Sequence, residues 1–350
     1  MVARWFIVIA VVTTVGVRRP ERAAAATVTA TTTPYPGIVH QEWTESSIPA
    51  RLHVVRVDLS PAEITLEATT EADRGATVSQ FAADAEVDVA INGDLFAPVG
   101  FLPAGLAIGG SDAWSISEDS ELEGFVRFDR AGGTNHVVVS PPEDLVQAGD
   151  LPAGTVGVVG GRPLLVRSGA AVASFDCGDL LALACERAPR TAVAVSADGN
   201  TMWLVVVDGW QAGSAGMTGA ELAGFLEDLG AADALALDGG AASTMVIAAE
   251  GGVVSAPSDG VERLVANHLG VRHGALPPGQ LIGFVRARDV FDDTANLEGA
   301  LVTLDDGSTD VVGADGLYNF PEVAPRYACA RAGALAHRRR RPGPDRAARR

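Results

Sequence analysis

Apolar runs broken by short polar pairs dominate this chain, and most have the length and alternation of strands rather than helices. The clearest organisation lies between Val205 and Met245. An apolar strand ends at Asp208-Gly209, a loop follows, one amphipathic helix comes next, and a second apolar strand ends at Asp238-Gly239-Gly240. Thr218 and Glu221 have capping-box spacing, Leu222, Phe225, Leu226 and Leu229 fall at i, i+3, i+4 and i+7, and Gly230 stands where a C′ glycine belongs. Strand, helix and strand in this order predict a right-handed βαβ crossover between parallel strands. Asp208 and Asp238 then leave the sheet at one rim, about 5 Å apart on neighbouring strands or about 10 Å with one strand between. Asp-Gly and Gly-Gly after a strand are also ordinary turn chemistry.

The other elements are shorter. Leu52–Leu59 and Ile64–Thr69 alternate about Ser60-Pro61 and read as paired strands. Thr77 and Gln80 predict a second capped helix, which leads into an apolar strand ending at Asn92-Gly93-Asp94. Leu102–Gly110 reads as a loop and short strand, Phe125–Phe128 with His136–Ser140 as a hairpin, and Val156–Val166 as a strand pair about Gly160-Gly161. Thr191–Ser196 and Met202–Val207 predict a hairpin turning at Asp198-Gly199, with Arg190 just before it. Past Pro277-Pro278, short strands separated by Asp306-Gly307 and Asp315-Gly316 suggest a small β-sandwich. From about Arg326 arginines crowd in and alternation stops, which leaves the sandwich incomplete and reads as a frameshift or gene-end error, a basic tail binding polyanions being the other reading. The expected class is α+β: a mixed-sheet domain at 51–274 containing the βαβ unit, and an incomplete sandwich at 279–327.

Composition narrows the function. The chain has 26 Lys plus Arg against 44 Asp plus Glu, and every basic residue is Arg. A pI near 4.6 argues against nucleic acid or an anionic membrane surface as partner. Arg4, the apolar run Trp5–Val17 and the Ala-rich patch Ala23–Ala26 have the form of a secretory signal at 1–26, followed by a Thr- and Pro-rich linker at 27–50. The expected location is secreted, periplasmic or extracellular, free of the membrane after cleavage, with an Arg-rich unstructured tail at 328–350. In an exported chain, Cys177 and Cys185 suggest a short-range disulfide, two reduced buried thiols being the other reading.

Chemistry concentrates at three strand ends. Asp208 and Asp238 suit a pair of carboxylates working on one glycosidic bond. Asn92 can donate and accept toward sugar hydroxyls, and Gly93 permits close backbone approach. Arg190 could hold a phosphate in two-pronged fashion. Asp94, Asp208 and Asp238 could instead share a divalent cation such as calcium, although no cofactor is required.

The ordered set Asn92-Gly93-Asp94-Leu95-Phe96, Pro189-Arg190-Thr191, Val207-Asp208-Gly209, Gly216-Met217-Thr218 with Glu221-Leu222-Ala223, Leu237-Asp238-Gly239-Gly240 and Arg263–Leu269 resembles the phosphodiester glycosidase family from roughly Val54 to Val271. The resemblance implies an α+β domain that hydrolyses sugar-1-phosphodiesters in glycans or exopolysaccharide, releasing a sugar and a phosphomonoester. It places catalysis on Asp208 and Asp238, and substrate binding on Asn92, Gly93, Asp94, Arg190, Gly239, Gly240, Ser243, Thr244, Arg263 and Asn267. Amides at Gly239 and Gly240 would assist Arg190 at the phosphate. The C-terminal piece resembles carboxypeptidase regulatory-like sandwiches. Trp210 stands where the family commonly has Arg, and Ala241-Ala242 where it has Gly-Ser, so an indole able to stack on a sugar replaces a guanidinium. The competing functions are a non-catalytic cell-wall or polysaccharide binder and a metal-dependent phosphodiesterase.

Overall fold

The computed structural model describes residues 26–110, 112–115, 124–131, 133–141, 151–152, 154–172, 175, 177, 182–274, 279–284, 298–303, 309–323 and 331–333. The chain forms two compact units, one running to His273 apart from residues 131–133 and the other comprising those residues and 274–350. The expected signal segment therefore lies almost wholly outside the described residues. Strands dominate, with few helices, and the α+β class holds.

The first unit is built on an eight-stranded sheet. Its strands run in the order Thr27–Tyr35, Ile38–Glu45, Ala50–Asp58, Thr201–Val207, Arg190–Val195, Asp233–Ala236, Leu164–Arg167 and Ala170–Ala171. Thr201–Val207 and Asp233–Ala236 are both antiparallel to Arg190–Val195 between them, so they are parallel to each other with one strand intervening. The helix Gly219–Asp228 makes the crossover and carries the full capping box of Thr218 and Glu221.

These strands read as unbroken apolar runs because the sheet is buried on both faces. Leu52, Val54, Ala192, Ala194, Val205 and Val207 share a cluster with Leu222, Phe225 and Leu226 of the helix. The intervening Val55, Val57, Val193, Val195, Leu204 and Val206 join a second core that draws on all three large sheets. Alanines at 192, 194, 234 and 236 line the helix side, where short side chains let the helix settle close to the strands. The opposite core is closed by two five-stranded sheets. One orders Thr134–Ser140, Gly124–Ala131, Thr155–Gly161, Ala107–Gly109 and Asp112–Ser115; the other orders Gly252–Val253, Met245–Ile247, Val89–Asn92, His268–His273 and Ile64–Ala68.

Several local expectations give way to this topology. Residues 27–50 are no linker: Thr27–Tyr35 and Ile38–Glu45 form an antiparallel hairpin on the edge of the main sheet. Threonine is β-branched and suits an exposed edge strand as well as a linker. Ala50–Asp58 and Ile64–Ala68 do not pair with each other. The first lies between Ile38–Glu45 and Thr201–Val207, and the second pairs with His268–His273. A turn in which the Ile64 N–H donates to the Pro61 carbonyl at 3.2 Å redirects the chain between sheets. Thr155–Gly161 and Leu164–Arg167 likewise join different sheets. Cys177 and Cys185 are disulfide-bonded.

In the second unit Gly279–Phe284 pairs with Leu317–Val323, and Leu301–Thr303 lies between Thr309–Val311 and Arg331–Gly333. That last strand falls inside the stretch expected to be an unstructured tail, and residues 334–350 lie outside the described residues. Among the described residues no helix is long and apolar enough to cross a membrane.

Leu226 is fully buried between helix and sheet. Leu226→Ala is expected to lower the unfolding free energy by about 2–5 kcal/mol, and Thr218→Ala, which removes the cap, by about 1 kcal/mol. Urea titration followed by far-UV circular dichroism checks both; equal effects would contradict the packing described.

Candidate active site

Two sheets meet where Val89–Asn92 and Asp233–Ala236 end. The Asp238 N–H donates to the Gly93 carbonyl and the Gly93 N–H to the Asn267 carbonyl, each at 2.8 Å. Asn92 is fully buried. Its Nδ2 donates to the Asp238 carbonyl at 2.8 Å, and its Oδ1 accepts from Thr191 Oγ1 at 2.7 Å and from the Thr244 N–H at 3.1 Å. The expected sugar contact of Asn92 is thus replaced by a positioning one, because internal groups occupy both ends of the amide. Gly93 owes its identity to close approach: a Cβ there would lie 2.3 Å from Asn267 Oδ1. Asn267, also buried, accepts the Asp94 N–H through that oxygen at 2.8 Å.

Asp94 has no exposed surface, and its Oδ2 accepts the Gly105 N–H at 2.6 Å. Burial pushes its carboxyl up to about 7, with the Gly105 hydrogen bond working against the rise and the charge of Asp238 adding to it. Asp238 is only half-buried and keeps contact with solvent. Desolvation likewise raises it to about 7, opposed by the Gly239 N–H and by the positive charge of Arg263. Gly160 closes over Asp94, since a Cβ there would lie 2.5 Å from Oδ2. The strand ends therefore hold two interacting carboxyls, one in a fully buried residue and one in a residue that keeps some solvent contact.

Asp208 leaves the sheet at the rim the crossover predicts, but it is 2% exposed and turned inward. Its Oδ1 accepts the Ala256 N–H at 2.8 Å and its Oδ2 faces His53 Nε2 at 3.6 Å. His53 Nδ1 lies 3.4 Å from His40 Nε2, and His40 Nδ1 lies 2.8 Å from Glu250 Oε2. The expected Asp208–Asp238 pair is replaced by Asp94–Asp238, and Asp208 ends a buried line of carboxylate and imidazole groups. His40 and His53 escaped the sequence reading, although each interrupts an apolar run at an inward position.

Arg190 is buried beside Pro189 and Gly239. Its Nε donates to the Met217 carbonyl at 2.8 Å and its Nη2 to the Glu186 carbonyl. Desolvation lowers it to about 10, while Glu186 and Glu221 act the other way. The Gly240 N–H donates to Pro189 O at 2.9 Å and the Gly239 N–H faces the Asp238 carboxyl, so the expected amide cradle for phosphate is already in use. Ser243 Oγ, Thr244 Oγ1, Asn267 Nδ2 and Asp94 Oδ1 are buried without a protein partner among the described residues. Arg263 is exposed and pairs with Asp259 at 2.9 Å. His268 is a neutral core residue, stacked on Phe81 and lowered to about 3 by burial. Among the described residues no three His, Cys, Asp or Glu are grouped to hold a metal.

The first unit is a strand-dominated domain with a crossover helix, bearing a carboxyl pair where two sheets meet. The phosphodiester glycosidase family model matches residues 85–272, and the chain belongs to that family. Among solved structures it is similar to the zebrafish N-acetylglucosamine-1-phosphodiester alpha-N-acetylglucosaminidase catalytic domain auto-inhibited by its pro-peptide, with 19% identity, TM-score 0.51, and coverage of 71% of this chain and 82% of that one. It is similar also to a hypothetical protein from Synechocystis, with 18% identity, TM-score 0.50 and coverage of 70% of this chain, which spans 63% of the other's length. These likenesses define the fold. No curated protein matches the chain.

A carboxyl raised above the ordinary 3.8 binds its proton more tightly folded than unfolded, so its stabilising contribution is full below about pH 4 and is lost as pH rises through about 7. Asp94→Asn removes that loss. The variant should gain stability relative to the parent as pH rises from about 5 to about 8, read as the difference in urea midpoints; a difference independent of pH would contradict an elevated Asp94.

Proposed function

We propose that this protein is an exported glycosidase that hydrolyses sugar-1-phosphodiester bonds in glycans or exopolysaccharide, with Asp238 at the anomeric carbon. The observation that carries this reading is the pairing of solvent-accessible Asp238 with sealed Asp94, both raised toward neutrality by burial. A carboxyl near 7 suits proton transfer at working pH.

In the reaction water adds to the anomeric carbon, the bond from that carbon to the phosphate oxygen breaks, and its electron pair leaves with the phosphate. A phosphomonoester is a good leaving group, so protonating it is less important than supporting positive charge on the sugar and taking the proton of water. Asp238 does both from one position. Asp94 does not touch the sugar; it interacts with Asp238, whose charge adds to the rise that burial imposes on Asp94. Arg263, exposed and close enough to lower Asp238, meets the phosphate, and buried Arg190 adds a fixed positive field beside Gly239. Ser243, Thr244 and Asn267 supply polar groups behind the strand ends. The N-terminal apolar segment exports the chain, and the C-terminal unit is an accessory module of the carboxypeptidase regulatory-like kind.

Asp238→Asn should lower turnover of sugar-1-phosphodiesters about a hundredfold to ten-thousandfold with substrate binding kept. In heavy-oxygen water the label should enter the sugar. Label in the phosphate would assign the protein to the phosphodiesterases, and absent turnover in the parent would leave it a binder.

A further inference from the structure

We propose that Trp210 is a sugar-binding platform, on which a pyranose ring of the glycan stacks beside Asp238. Among the described tryptophans Trp210 alone is exposed, at 54%. Its backbone has φ +55°, in the left-handed region that bulky residues rarely adopt. Backbone strain of this kind persists only where the surroundings over-determine it, and it collects at ligand-binding positions.

The surroundings do so here. Gly209 is pressed on Pro189, where a Cβ would lie 2.4 Å from the proline nitrogen. Gln211 and Ser214 exchange backbone hydrogen bonds at 3.0 and 3.1 Å, and Gln211 Nε2 donates to the Ala256 carbonyl at 2.6 Å. The indole Nε1 donates to the Arg187 carbonyl at 3.1 Å, and the Arg187 guanidinium is itself fixed by two bonds to Glu221 at 2.7 and 2.6 Å. Across the indole, a Cβ on Gly240 would lie 3.0 Å from Cη2 and 3.3 Å from Cζ3. The indole is thus held from the Arg187 side and the Gly240 side, and Gly240 lies two residues along the chain from Asp238.

The indole face selects its ligand. The electron-rich face of an indole repels phosphate and attracts the polarised C–H bonds on one side of a sugar ring. An acyl chain would need continuous apolar surface, whereas Trp210 is followed by exposed Gln211, Ala212 and Gly213. A pyranose, apolar on its face and polar at its rim, fits both conditions. The proposal rests on the glycosidase reading only for the position of this ring relative to the scissile bond, and ring binding needs no turnover.

The test uses the full chain and unphosphorylated linear oligosaccharides of glucose, mannose and N-acetylglucosamine, titrated by calorimetry and by intrinsic fluorescence. At least one should bind the parent and change its emission. Trp210→Phe should bind within about threefold but lose the emission change, whereas Trp210→Ala and Trp210→Arg should each weaken binding at least about tenfold with unchanged near-UV circular dichroism. No binding by the parent, or equal binding by Trp210→Ala, overturns the platform. Oligosaccharide binding without phosphodiester hydrolysis keeps the platform and removes the glycosidase reading instead.

Discussion

The buried amide of Asn92 fixes this site. One side chain accepts from Thr191 and from the backbone at Thr244, and donates to the carbonyl of Asp238. Those groups belong to segments far apart in sequence and to strand ends of two different sheets. An apolar residue in its place would leave three buried polar groups without partners, at a cost of about 1–3 kcal/mol each. The junction also needs Gly93, because Asn267 occupies the space a side chain would take. Asp238 is thus held by its own backbone in a residue that keeps some solvent contact, while its carboxyl is desolvated enough to be raised.

Three aspartates end three strands here, and their environments separate them. Asp208 is turned inward to Ala256 and His53, Asp94 is sealed under Gly160, and Asp238 alone of the three keeps solvent contact. A carboxylate anchored by a backbone amide and facing an imidazole is suited to holding a loop. Asp208 does this for the segment that begins at Ala256 and carries Arg263, the residue whose charge bears on Asp238. Its influence on the site is therefore indirect, through where that segment sits. Asp94 acts directly, because two interacting carboxyls in a poorly solvated corner resist both being ionised.

Local signals in the sequence proved sufficient for local structure. The capping boxes at Thr77 and Thr218 form as written, since each depends only on residues three apart. The crossover follows from handedness, and the hairpin at Asp198-Gly199 from turn chemistry. Strand partners were another matter: Ala50–Asp58 and Ile64–Ala68 look like a hairpin because they are adjacent, yet burial on two faces sends them to separate sheets. The same limit governs the site. Asn92-Gly93-Asp94 advertises a polar strand end, but nothing nearby in the chain reveals that residues 191, 238, 244 and 267 would consume its hydrogen bonds and turn a sugar contact into a fastening. His40 and His53 were legible only as polar breaks in apolar runs, which identify an inward polar group without naming its partner.

The distribution of charge at the rim follows from the same packing. Arg190 is directed into backbone carbonyls and Arg187 into Glu221, while the amides of Gly239 and Gly240 face Asp238 and Pro189. Positive groups near the strand ends are thus largely engaged in holding the protein together, and exposed Arg263 is shared with Asp259. The rim has exposed Arg263 and the exposed Trp210 indole beside partly buried Asp238. Such a surface complements a chain that is mostly neutral sugar with charge at a single point better than it complements a polyanion. The overall acidity of the protein acts in the same direction, since a net charge of −18 disfavours approach by densely anionic chains. Placing exposed Arg263 within electrostatic reach of Asp238 favours a position for a lone phosphate at the bond beside that carboxyl, so charge supplies the register and the indole supplies the grip.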